Sequence, residues 1–167
     1  YWHLVILGII LGLLGHLYKK GLFGLKKVYL KITWLPRWLH GLIPLALLIP
    51  IMYYWPLITG PGNLLILSLQ KMLTQSGWAL VGILAFYYVM RIAFSIISYD
   101  SGLPSGIFLP ILTMGALIGA TYGTLMVQFG LMPAHLVINL IIFSMAGYFA
   151  AIIRAPFTAI ILITEMV

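Results

Sequence analysis

Two long apolar runs, Trp78–Tyr99 and Ile107–Met132, are separated only by a short stretch rich in serine, glycine and proline, which continues through Gly106-Ile107-Phe108-Leu109-Pro110. Each run is long enough to cross the roughly 30 Å hydrocarbon core of a bilayer as a helix. In lipid the backbone has no water to bond with. Irregular chain is tolerated at that depth only where protein buries it or where it lines a polar cavity. The break is therefore either an ordinary helix–loop–helix turn or the wall of such a cavity. In the second case, a helix starting there points its first free N–H groups and about half a positive charge inward. That is an anion site made of backbone. Gly106, Ile107 and Phe108 are the candidate N–H donors, and Pro110 falls in the first helical turn, where a missing N–H does no harm.

Composition supports the membrane reading. Only 7% of the 167 residues are charged, with nine Lys/Arg against two Asp/Glu. A soluble domain carries about 25% charged residues, so no water-facing surface can be built from this set. The expected class is an all-α, polytopic integral membrane protein with no soluble domain. Both ends lie within apolar sequence, so the chain is expected to be part of a longer one. The net charge of +7 does not point to nucleic acid. Lys19, Lys20, Lys26, Lys27, Lys31 and Arg37 fall in one stretch between apolar runs, which reads as a cytoplasmic positive-inside cluster. Binding of anionic lipid is a second role open to it.

The apolar pattern gives about seven helical segments of uneven length. The first, Tyr1–Tyr18, should run toward the cytoplasm and end in the basic stretch. Gly41–Ile58 carries Pro44, Pro50 and Pro56 and should be kinked or in pieces. Leu64–Leu73 is too short to span and reads as re-entrant. Trp78–Tyr99, Ile107–Met132, Leu136–Ile153 and Phe157–Val167 complete the set. Short, broken hydrophobic segments suggest a transporter. Gly115, Gly119 and Gly123 repeat every four residues, a spacing that lets helix backbones approach closely in lipid.

A few polar residues stand out against this background. Arg91 lies inside an apolar run, where an unpaired guanidinium costs about 2.5–3.5 kcal/mol on insertion scales. It should face protein, water or a helix end, and could steer anions. Arg154 lies at a helix break, where it can satisfy terminal carbonyls. Asp100 is expected at the water interface or paired, with Arg91 only one candidate for the partner. Glu165, an acid in an apolar run, could relay protons or serve as a hydrogen-bonded acid at a helix contact. The histidines His3, His16, His40 and His135 have no metal-ligand spacing, and no Ser–His–Asp set is present. No metal and no cofactor is expected. The two acids are far apart in sequence, which argues against an intramembrane enzyme.

The stretch Ser105-Gly106-Ile107-Phe108-Leu109-Pro110 resembles the GxFxP motif of the CLC chloride channels and chloride/proton exchangers. The similarity continues through Met114–Gly119, Tyr122-Gly123 and Ala146-Gly147. It returns in Ile153-Arg154-Ala155-Pro156-Phe157-Thr158-Ala159-Ile160-Ile161-Leu162 and ends at Glu165-Met166. Tyr1–Lys20 is similar to the helix that opens the family's second inverted half. The resemblance implies that residues 1–167 are a fragment, the larger part, of the second inverted-repeat half of a CLC-like membrane domain, acting in chloride transport as part of a homodimer. In the family, the amides matching Ile107 and Phe108 bind the central chloride. The family's GSGIP-like serine motif and GREGP-like gating glutamate would precede Tyr1, so the missing N-terminal half is an expected partner. Its ion-facing tyrosine would follow Val167. Channel and exchanger remain equally open. A fluoride/proton exporter of the same broad family and a non-transporting scaffold are the alternatives. The expected location is the cell membrane.

Overall fold

The computed structural model describes residues 2–31, 42–54, 68, 77–100 and 108–166. Six α-helices account for nearly all of them, with no strand among the described residues: α1 (Trp2–Lys31), α2 (Leu42–Tyr54), α3 (Trp78–Asp100), α4 (Phe108–Gln128), α5 (Val137–Ile153) and α6 (Pro156–Met166). A single 3-10 turn, Ala134–Leu136, leads into α5. The chain is an all-α polytopic membrane protein: four apolar segments, within Trp2–Gly24, Trp78–Tyr99, Phe108–Gln128 and Ala134–Ile153, are long enough to cross a bilayer.

The bundle is built around α4. Every residue from Ile111 to Ala120 is buried. The four-residue glycine repeat explains how α5 comes so close. A Cβ on Gly115 would sit 2.8 Å from the Ser144 carbonyl oxygen, and one on Gly119 2.8 Å from the Ile141 Cα. On Gly123 it would meet a Val137 methyl at 2.7 Å. The pairing 115 with 144–148, 119 with 140–144 and 123 with 137 makes α4 and α5 antiparallel. On the other side of α5, Gly147 meets Leu11 and Gly15 meets Ala151, so α1 and α5 run parallel.

Helix ends follow local chemistry. α4 stops at Gln128 rather than Met132. Gly130 takes a left-handed φ of 69°, and the N–H groups of Gly130 and Leu131 donate back to the carbonyls of Val127 and Met126. This is a Schellman closure, for which glycine lacks the Cβ penalty. α5 ends on Arg154, also left-handed at φ 60°, whose backbone N–H donates to the Ala150 carbonyl at 2.8 Å. Arg154 thus caps through its main chain, and its side chain is exposed. α1 does not end at Tyr18. It continues without a break through the lysines to Lys31, because lysine and leucine are good helix formers and the cost of Gly21 and Gly24, about 1 kcal/mol each, does not end it. The segment 64–73, apart from Ser68, lies outside the described residues.

Candidate functional site

The N-terminal turn of α4 is fixed from two sides. Phe108, its first residue, sets its ring edge-on against Phe149 of α5, with centroids 5.3 Å apart. Pro110, third in the helix, forms part of a cavity of about 180 Å³. Pro44 and Leu48 of α2 line it from one side, and Arg91, Phe94, Ser95 and Ser98 of α3 from the other. At a liquid share near 30 Å³ per molecule, it has room for several waters.

Its polar side is a single stripe of α3. Arg91, Ser95 and Ser98 are spaced i, i+4 and i+7, which keeps them on one helix face. Arg91 is only 8% exposed. Ser95 is held by a 2.6 Å hydrogen bond between its Oγ and the hydroxyl of Tyr18 on α1. A second buried hydroxyl pair lies nearby: Tyr88 and Tyr148 lie side by side without hydrogen-bonding geometry, and Tyr148 also packs on the Tyr18 ring at 6.3 Å.

The depth of this site follows from contacts at the two ends of the bundle. At one end, His3 Nδ1 and Tyr122 Oη are hydrogen bonded at 3.2 Å, and Trp78 packs on Phe129. At the other end, Tyr18 meets Ser95, and Gly21 lies against the Ile96 methyl. Counting residues from these pairs at 1.5 Å each puts Phe108 at about the level of Gly15–Tyr18. The apolar span of α1 runs on to Gly24. The start of α4 therefore lies roughly 9–13 Å inside the end of that span. A helix opening at this depth leaves its first N–H groups without intrahelical acceptors.

The candidates from sequence are only partly drawn together. Phe108 and Arg91 belong to elements that meet at the cavity. Gly106 and Ile107 lie outside the described residues, as does the side chain of Asp100. Glu165 is exposed on α6, which packs against α5, and it is not among the residues lining the cavity. Among the described residues no group of His, Asp and Glu could hold a metal ion. Tyr18, Pro44, Phe94 and Phe149 were not singled out as site residues. The serine spacing from Arg91 was available in the sequence as a signal; nothing marked the residues that pack opposite.

A family model described as voltage gated chloride channel matches residues 1–167, the whole chain. The chain belongs to that family. Its members are channels and transporters that move chloride across membranes, so the membrane-spanning helices belong to an ion-transporting architecture.

Proposed function

We propose that this chain forms one wall of an anion path, and that the N–H groups of Gly106, Ile107 and Phe108 bind chloride within the membrane. The observation that carries the proposal is the depth of the α4 start beside a cavity holding a buried guanidinium and two serine hydroxyls. Amide dipoles and hydroxyls can replace part of a halide's water shell with partial charges, which hold it weakly enough to depart. Arg91 raises the local potential for anions from the side. The remainder of the site comes from residues outside this chain, in a protein that works as a homodimer in the cell membrane, as channel or chloride/proton exchanger. Glu165 is assigned no part in the anion site.

Replacing the amide of Phe108 by an ester in the full-length protein removes one N–H, keeps the side chain, and weakens the preceding carbonyl as an acceptor, an effect that the same change at Ala116 controls for. Hydrogen bonds to charged groups contribute about 1.5–3 kcal/mol, so chloride affinity should fall roughly ten- to a hundredfold in isothermal titration. The same change at Ala116, mid-helix, should leave it within a fewfold. Arg91→Gln should lower chloride flux into proteoliposomes severalfold, and Arg91→Lys should retain most of it. Unchanged affinity after the Phe108 ester would refute the amide site.

A further inference from the structure

We propose that the basic end of α1 is a docking surface for anionic phospholipid headgroups. The outward face of α1 is apolar over its first half: Trp2, Ile9 and Leu13 are 83%, 61% and 62% exposed. Spacings of seven and four residues carry this same face onto Lys20, Lys27 and Lys31. Lys20 is exposed. By register, lysine positions follow this exposed apolar face where the apolar span ends at Gly24. The helix goes on to Lys31, giving thirty residues, or about 45 Å, against about 40–45 Å for a bilayer including its headgroups. The register of Lys27 and Lys31 lies at headgroup level, and Lys20 can reach it by extending its stem.

Orientation by the positive-inside rule needs only a sufficient number of charges on one side. It does not require them to continue the lipid-facing stripe, yet three of them do. Carboxylates are scarce as an alternative: the chain has only two, Asp100 and Glu165. Glu165 is nine residues along α6 from Pro156 and is exposed. Lipid phosphates supply the matching charge at the matching depth. Phosphatidylglycerol and phosphatidylserine both fit, because the recognition is of headgroup charge next to acyl chains. This inference is independent of the chloride reading.

The test uses the full-length protein in phosphatidylcholine vesicles, with spin-labelled phosphatidylglycerol as probe and spin-labelled phosphatidylcholine as reference. Electron paramagnetic resonance reads their relative association with the protein. Each lysine near an anionic surface is worth about 1 kcal/mol, or roughly fivefold, so the native protein should favour phosphatidylglycerol about fivefold or more. Lys20→Gln/Lys27→Gln/Lys31→Gln should bring the ratio close to one, while the corresponding triple arginine variant keeps it. Lys19→Gln/Lys26→Gln, off this face by register, should retain most of the preference, which a simple net-charge effect would not allow. If the triple glutamine variant does not fold, Lys27→Gln and Lys31→Gln singly should each lower the ratio. No preference in the native protein, or one untouched by these changes, overturns the proposal.

Discussion

Helices α4 and α1 supply apolar spans of the same mean hydropathy, 1.5, yet 72% of the α4 span is buried against 22% of the α1 span. Hydropathy places both in lipid and cannot say which one lies at the centre. Glycine content does not separate them either, since α1 carries Gly8, Gly12 and Gly15. The difference is what stands opposite. Gly115 and Gly119 of α4 face the backbone of α5 and Gly123 the Val137 side chain, while a Cβ on Gly8 or Gly12 would meet nothing within 4 Å. In lipid, helices associate through close packing rather than through an apolar driving force. A small-residue stripe therefore organises a bundle only when a matching surface is pressed into it.

The largest contrast is expected from deleting a leucine on each helix. Leu117 of α4 is fully buried, and Leu13 of α1 is 62% exposed. Leu117→Ala leaves a hole that neighbours fill only in part, at a cost of about 2–3 kcal/mol. Leu13→Ala exchanges lipid contact for lipid contact and should stay within about 0.5 kcal/mol. Thermal unfolding of the detergent-purified full-length protein, followed by size-exclusion fluorescence, reads both. Equal losses would break the distinction between a packed and a lipid-facing span.

A smaller effect sharpens it. In Gly119→Ala the new methyl group must push against the Ile141 Cα and the Leu140 carbonyl, both at 2.8 Å. Backbone cannot swing aside as a side chain does, so α4 and α5 must separate, costing about 1–2 kcal/mol. Gly12→Ala should instead gain up to about 1 kcal/mol from better helix propensity. A loss at Gly12 would reveal a further helix packed on α1 in the full-length protein.

The same distinction explains what could be read from sequence. The spans Trp78–Tyr99 and Leu136–Ile153 were legible because length and uninterrupted apolar character suffice to define them. The glycine repeat of α4 announced a close contact, but α5 as its partner depends on tertiary packing that no local pattern encodes. The end of α1 is not legible from hydropathy, which falls at the lysines, whereas the helix runs on through them to Lys31. At the site, Arg91 and the neighbouring serines were visible as polar residues in apolar sequence. Pro44, Leu48 and Phe149 were not, since an apolar residue opposite a cavity looks like any other lipid-zone side chain.

The smallest contrast concerns two phenols that sequence could not tell apart. Tyr18 and Tyr148 are both almost wholly buried and pack on each other. The Tyr18 hydroxyl is hydrogen bonded to Ser95 at 2.6 Å, whereas that of Tyr148 has no hydrogen-bond partner among the described residues. Tyr18→Phe leaves the Ser95 hydroxyl without this bond beside the cavity and should cost about 1 kcal/mol. Ser95→Ala should cost a similar amount, and the double variant little more than either alone, because both remove one interaction. Tyr148→Phe removes a polar atom that burial already disfavours, so its melting temperature should stay level or rise. A Tyr148→Phe loss as large as that of Tyr18→Phe would mean that its hydroxyl is bonded in the full-length protein, by a water or by a residue beyond this chain.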